Sequence, residues 1–167
     1  MKNKKIKLLI LIFIAIYTSL MIYFMFFGFG RITYKEHLYN FIPFKSIRES
    51  FEIYMFYVKN YSEIAGNEFW HFAVNIFGNI GMFIPYGILL TIFFNFRFAN
   101  AFGVFEIGIL TIETAQLISR RGVFDVDDII LNTIGFLIGY AITMAIFKFI
   151  QKKNREDKQI DKIQSIC

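Results

Sequence analysis

The chain has few of the residues on which disulfide-stapled domains and soluble enzymes depend. Its one cysteine is the last residue, Cys167, which leaves no internal disulfide and does not fit a C-a-a-X lipidation signal. Charged residues make up only 19% of the 167 positions, below the share of about 25% in soluble domains. The sequence also lacks a nucleophile elbow, an H-E-x-x-H pair and a phosphate-binding loop. These absences exclude a cysteine-rich secreted scaffold and the enzyme classes that carry those motifs.

Apolar and aromatic side chains are abundant instead. Hydrophobic residues reach 56%, and phenylalanine alone occurs 23 times. Four apolar runs cover residues 8–29, 72–96, 98–119 and 129–149, each close to the ~20 residues that a helix needs to cross a bilayer core. The first run is too long for a cleavable signal peptide and no A-x-A-like site follows it, which indicates a signal anchor. The prediction is an all-α integral membrane bundle of four transmembrane helices, forming a single domain over residues 1–167.

The positions of lysine and arginine predict the orientation of this bundle in the cell membrane. If both termini lie in the cytoplasm, 11 of the 18 basic residues are inside, and four of those precede the first helix. The net charge of +5 then belongs to residues that flank membrane segments and contact anionic lipid. We therefore predict membrane lipids as partners, with no nucleic acid and no cofactor.

The long connection between the first two runs contains the pattern of a short amphipathic helix. Apolar residues recur at helical spacing from Ile47 to Tyr61, just after Pro43, and Ser46 and Glu49 have the spacing of a capping box. This helix either lies in the membrane interface or packs on the bundle, and the pattern fits both. The charged tail, residues 151–167, fits either a helix or a disordered segment.

Polar residues between the third and fourth runs are the strongest indication of a functional site. They are Glu113, Gln116, Arg120, Arg121, Asp125, Asp127, Asp128 and Asn132. Ionisable groups at membrane depth are costly and usually face a protein interior, a water-filled cavity or a partner. On the second helix, His71, Asn75 and Asn79 recur at intervals of four and form one polar stripe. Three helices thus bring polar groups to similar depths in the outer half of the bilayer, where we expect the site.

The same side chains also have a purely structural interpretation. Asn, Gln and His in a bundle often only link helices, at about 0.6–2 kcal/mol per hydrogen bond. Gly135 and Gly139 form a G-x-x-x-G pattern that lets backbones approach, within one chain or between two copies. For the asparagines the two interpretations are balanced. For Glu113 function is favoured, because a lone buried carboxylate costs several kcal/mol.

Three chemical schemes fit these residues. Oxygen ligands for Mg²⁺ or Ca²⁺ are available from Glu113, Asp125, Asp127 and Asp128. Their spacing matches no EF-hand loop, and we predict no metal. A hydrolase or transferase would use one of these carboxylates as base and His71 as acid. Binding without chemistry would use the arginines and carboxylates to recognise a head group, a peptide stem or a glycopeptide. A transporter is disfavoured, since four helices enclose a path only as an oligomer and no inverted repeat is visible.

Three blocks of the sequence carry a resemblance to a known family. They are NFIPF at residues 40–44, NIFGN through FIPYG at residues 75–87, and E-x-x-Q, RGVFDVDD and N-x-x-G between residues 113 and 135. These blocks resemble the motifs of VanZ-like membrane proteins, although Phe41 stands where leucine is usual. The resemblance implies a multi-pass protein of the bacterial cell envelope, whose namesake is associated with low-level resistance to teicoplanin. It implies no particular enzymatic mechanism.

We accordingly predict an envelope accessory protein that binds an envelope lipid, a lipid-linked wall precursor or the glycopeptide itself. The predicted ligand-binding residues are Arg120, Arg121, Asp125, Asp127, Asp128, Asn132, Glu113, Gln116, Asn75 and Asn79. The alternative is a membrane-embedded enzyme acting on a lipid-linked substrate. Its catalytic candidates are Glu113, Asp125, Asp128 and His71. The oligomeric state stays open.

Overall fold

The protein is almost entirely helical. The computed structural model describes residues 4–28, 33–61 and 65–164, with side chains up to residue 158. Its elements are α1 (Lys4–Phe26), β1 (Leu38–Asn40), α2 (Lys45–Asn60), α3 (Ala65–Ala73), a π-helical turn (Val74–Gly78), α4 (Asn79–Phe93), α5 (Phe98–Ser119), β2 (Val123–Asp125) and α6 (Val126–Gln164). Within these residues, four helices are long and apolar enough to cross a membrane, which confirms the predicted all-α membrane bundle.

The second of these spans is a single helix of 29 residues, Ala65–Phe93, because α3, the π-helical turn and α4 run on without a break. It starts several residues before the apolar run that predicted it and continues through Pro85. α6 likewise extends from the membrane span into the charged tail as far as Gln164. The tail is therefore helical over its described part.

α4 and α6 approach each other until their backbones touch. A Cβ built on Gly139 would overlap the carbonyl oxygen of Ile84 and lie 3.0 Å from the Cα of Gly87. A Cβ built on Gly135 would overlap the carbonyl oxygen of Ile80 in the same way. The G-x-x-x-G pattern of α6 is therefore occupied by α4 of the same chain, where small residues permit this approach.

α1 lies against the bundle through a few polar and aromatic contacts. The hydroxyl of Tyr17 donates to the carbonyl oxygen of Met82 at 2.8 Å, and the hydroxyls of Thr18 and Tyr86 lie 2.7 Å apart. Met21 is the one residue of α1 that is fully buried. The rest of α1 is mostly exposed apolar surface, as expected of a helix whose outer face contacts lipid.

α2 is the predicted amphipathic helix, and it packs on α3 along one side. The ring of Tyr54 lies 5.7 Å from that of Phe69, and Phe51 lies 5.7 Å from Phe72. No residue of α2 is fully buried, and Phe56 on it is 55% exposed. Both structural interpretations thus hold in part, since one side of α2 contacts the bundle and another remains available to an interface.

The predicted capping box at the start of α2 is wrong. Phe44, in a left-handed conformation with φ 63°, takes the N-cap position and makes no side-chain cap. Ser46 lies inside the helix, where its hydroxyl donates to the carboxylate of Asp125. Glu49 instead pairs with Lys45 at 3.8 Å on the surface. The reason is that the carboxylate of Asp127, in α6, caps the start of α2 instead.

A short parallel sheet joins the two loops at one end of the bundle. β1 pairs with β2 in the register Leu38 to Val123 and Asn40 to Asp125. Three-residue strands are too short to show a period in sequence, so this pairing was not predicted. We call this end of the bundle, with β1, β2 and α2, the strand end.

Candidate functional site

Asp125 is a structural hub at the strand end. Its carboxylate accepts hydrogen bonds from the Asn40 amide at 3.1 Å, from the backbone N–H of Asp127 at 2.9 Å and from the Ser46 hydroxyl. Its own backbone N–H donates to the buried carboxylate of Glu113 at 3.2 Å. These bonds connect the loop before α2, the end of α5 and the start of α6.

Asp127 caps α2 from the first turn of α6. Its side chain, only 1% exposed, accepts from the backbone N–H groups of Phe44, Ser46 at 2.9 Å and Ile47 at 3.2 Å. Such groups lack a partner at any helix start, and a carboxylate satisfies both their hydrogen bonds and the positive end of the helix dipole. We call Asp125 and Asp127, with these partners, the carboxylate clasp.

The two arginines of the same hairpin bind backbone carbonyls. The Arg121 guanidinium lies 4.6 Å from the ring centroid of Phe27 and donates to the carbonyl oxygen of Phe26 at 3.2 Å. Arg120 donates to the carbonyl oxygen of Lys35 at 3.2 Å. A cation at the last carbonyls of α1 also complements the dipole of that helix. Both arginines therefore hold loops and helix ends in place.

Beside the clasp lies a partly enclosed cavity of about 450 Å³, within the range of ~300–1,000 Å³ found for ligand pockets. Its polar wall is formed by Asn75, Asn79, Gln116, Asp125 and Asp128. Its apolar wall includes Phe24, Met25, Tyr34, Met82 and Phe83. The cavity thus brings together polar residues of α4, α5 and α6 and closes them with apolar residues from α1 and α4.

Two carboxamides in this wall are not used by the protein itself. Gln116 is 3% exposed, yet its side chain makes no hydrogen bond to any residue that the structure describes. The half-buried side chain of Asn75 likewise makes no hydrogen bond to a residue that the structure describes. Gly122 makes room for Gln116, since a Cβ there would lie 2.9 Å from its carboxamide carbon. Because both amides line the cavity, a polar ligand or water there can pair with their donors and acceptors.

Asn79 and Asp128 form the polar floor of the cavity. The Asn79 side chain donates to a carboxylate oxygen of Asp128 at 2.7 Å. This bond links α4 to α6 directly above their glycine contact. It also holds a half-buried carboxylate in the wall, where a ligand can reach it.

His71 and Asn132 lie outside the cavity wall. The side chain of His71 is exposed, and Asn132, 1% exposed, is buried within the bundle. The π-helical turn between His71 and Asn79 explains why His71 lies outside the cavity wall. Its wider i→i+5 turn shifts the helix phase, so His71 no longer shares a face with Asn79, whereas Asn75 and Asn79 still line the same cavity. The predicted stripe is therefore interrupted after His71.

The predicted carboxylates do not converge on one point. Glu113, 0% exposed, lies beneath the clasp rather than in the cavity wall. Glu106, deeper on α5, accepts from the Thr133 hydroxyl at 2.8 Å. In the described part of the chain no three His, Cys, Asp or Glu side chains are arranged to hold a metal ion.

An apolar groove of about 190 Å³ lies next to the cavity. It runs between α1, α4 and α5, and its lining includes Ile14, Thr18, Tyr86, Leu90 and Val104. Phe83 lines both the groove and the cavity. Together, the cavity and the groove extend roughly 16 Å along α4 from Asn79 to Leu90, at the rise of 1.5 Å per residue. Sequence reasoning missed Phe24, Tyr34 and Phe83, because apolar residues in an apolar setting give no signal.

The comparisons with known proteins give one match. The family model described as VanZ/LLP1 matches residues 9–148, which includes the second and third membrane spans, most of the first and fourth, the clasp and the cavity. No curated protein and no solved structure is significantly similar to the chain.

Proposed function

The chain belongs to the VanZ/LLP1 family, and we propose that it is an accessory protein of the bacterial cell envelope that binds an envelope lipid at the strand end. Binding this lipid would lower susceptibility to glycopeptides of the teicoplanin type, as the resemblance to VanZ-like proteins implies. We expect a soluble molecule with the same polar groups to bind more weakly, because the groove part of the proposed site is apolar.

The observation that supports this proposal is that the polar cavity and the apolar groove adjoin at Phe83. Phe83 lines both, so the polar groups of the cavity lie next to an apolar groove between α1, α4 and α5. A membrane lipid has the same order of parts, with a polar head group followed by an acyl chain. The head group would contact Gln116, Asn75 and Asp128, and the chain would lie between α1, α4 and α5.

We also propose that the strand end faces the outside of the cell and that both termini are cytoplasmic. The bias of lysine and arginine toward the termini supports this orientation. In a chain with Cys167→Ser, an impermeant thiol reagent should label Glu36→Cys from outside intact cells and spare Asn100→Cys at the opposite end. Labelling of Asn100→Cys alone would reverse the orientation.

The enzyme hypothesis is the second candidate, and Asp128 is the residue that favours it. Asp128 is a half-buried carboxylate in the cavity wall. A ligand in the cavity would be within its reach, which is what a general base requires. The other carboxylates have structural partners in the clasp, and His71 lies outside the cavity. Binding therefore remains ahead of catalysis.

Teicoplanin susceptibility of a sensitive host expressing the chain tests the proposal. We expect the chain to lower susceptibility and Gln116→Leu to abolish this effect, because the substitution removes two hydrogen-bonding groups from the cavity. Thr114→Val, on an exposed face of α5 away from the cavity, should keep the effect at equal protein level.

Carboxylate variants separate the two hypotheses in the same assay. Asp128→Asn and Glu113→Gln keep the shape and most hydrogen bonds while removing a base. Loss of protection with lipid binding retained would favour the enzyme. Protection unchanged in both variants would exclude both an enzyme and a site that depends on charge.

A further inference from the structure

We propose that the cavity is specific for the uncharged sugar head group of a glycolipid, rather than for a phosphate or an amine head group. This inference rests on the proposed lipid binding and adds the chemical class of the ligand. Three features of the described residues support it: the absence of a cation from the cavity wall, the number of carboxamides and the apolar part of the wall.

A phosphate head group would lack a counter-charge in this cavity. None of the described residues that line it is Lys or Arg, and its described acidic side chains are Asp125 and Asp128. The nearby guanidinium groups of Arg120 and Arg121 are directed to backbone carbonyls outside the cavity. Proteins bind phosphate through Arg, Lys or clusters of backbone N–H groups. Two carboxylates would instead repel it at short range, most strongly in a site of low dielectric constant.

An amine head group would leave the carboxamides half satisfied. Each of Asn75, Asn79 and Gln116 carries an NH₂ group that donates and a carbonyl oxygen that accepts. An ammonium group only donates, so it cannot pair with the NH₂ groups of Asn75 and Gln116. A sugar hydroxyl both donates and accepts. Adjacent hydroxyls on one ring therefore satisfy both halves of each carboxamide, and a further hydroxyl can donate to Asp128.

The apolar part of the cavity wall suits the less polar side of a sugar ring. Phe24 and Tyr34 line the cavity there, and Met25 and Met82 complete the wall. A sugar ring carries hydroxyls around its edge and C–H groups on its faces, which pack on aromatic surfaces. The attached lipid would then pass Phe83 into the apolar groove.

Thermal unfolding of the purified full chain with added lipid tests the head-group preference. The protein is kept in an amine-oxide detergent, because maltoside detergents would compete for a sugar site. Diglucosyl diacylglycerol, phosphatidylglycerol and phosphatidylethanolamine with identical acyl chains are titrated separately. We expect half-saturation of the rise in unfolding temperature at roughly tenfold lower concentration for the glycolipid, a ratio that corresponds to ~1.4 kcal/mol and is within reach of one or two additional hydrogen bonds.

Variants show whether the preference comes from the carboxamides. Gln116→Leu and, independently, half-buried Asn75→Leu should reduce the glycolipid response to that of phosphatidylglycerol, and Thr114→Val should leave it unchanged. Methyl glucoside alone should compete only at far higher concentration, since it lacks the chain that fills the groove. Displacement by methyl glucoside at equal concentration would show a soluble sugar as the ligand instead.

The remaining outcomes distinguish the two proposals. Equal responses to all three lipids, or a stronger response to phosphatidylglycerol or phosphatidylethanolamine, would overturn the sugar preference and leave lipid binding standing. A response to none of them would overturn the proposed lipid binding itself.

Discussion

Gly139→Leu prevents the chain from folding, whereas Gly103→Leu leaves its stability nearly unchanged. Any side chain at Gly139 overlaps the carbonyl oxygen of Ile84, which belongs to the backbone and cannot move to another rotamer. Overpacking of ordinary cores costs about 1–3 kcal/mol because side chains rearrange. Here α4 and α6 have to separate, so the cost should exceed that range and approach the whole stability, typically about 5–15 kcal/mol.

Gly103 is the matched control for this substitution. It lies in a membrane helix, α5, and a Cβ built on it meets no described atom within 4 Å. The yield of monodisperse protein after detergent extraction and its unfolding temperature measure the difference. Similar yields for the two leucine variants would mean that α4 and α6 are not in backbone contact at Gly139.

Asp127→Ala releases α2 and the loop before it from the bundle. The substitution removes the acceptor of three backbone N–H groups in a site that is 1% exposed. Loss of an ordinary cap costs about 1 kcal/mol, and each buried donor left unpaired adds about 1–3 kcal/mol. We expect a drop of at least ~2 kcal/mol in the free energy of unfolding, with smaller losses for Asp127→Asn, which keeps one acceptor.

Hydrogen exchange locates this effect better than stability alone. The amides of Ser46 and Ile47 should exchange much faster in Asp127→Ala, while amides in the middle of α4 stay protected. Asp157→Ala, in the exposed tail of α6, is the control and should change neither. Unchanged protection at Ser46 and Ile47 would show that α2 does not depend on a cap from α6.

The bundle was predictable because membrane helices follow from the length of apolar runs alone. Gly135 and Gly139 also gave a correct indication of close packing, although only the structure shows that α4 is the partner. For the cavity, polar residues on three helices predicted where side chains would meet. Asn79 and Asp128 do meet, at 2.7 Å.

The clasp was beyond the reach of sequence reasoning for a physical reason. Asp127 bonds to backbone N–H groups about 80 positions earlier in the chain, and backbone donors have no residue type to recognise. His71 was misplaced relative to Asn79 because a π-helical turn changes the phase of a helix without a sequence signature. The arginines suggested ligand binding, but their partners are carbonyls at the end of α1 and in the loop that follows, which any sequence would provide.

The central claim is that one membrane lipid occupies the cavity and the groove together. A lipid carrying a photoreactive diazirine halfway along its acyl chain tests it most directly, in bilayers containing the full chain. We expect crosslinks concentrated on groove residues such as Ile14 and Val104, and their loss in Gln116→Leu, whose head-group contacts are weakened. Crosslinks distributed evenly around the bundle, with Ile134 and Phe149 on the exposed surface of α6 labelled as strongly, would contradict it.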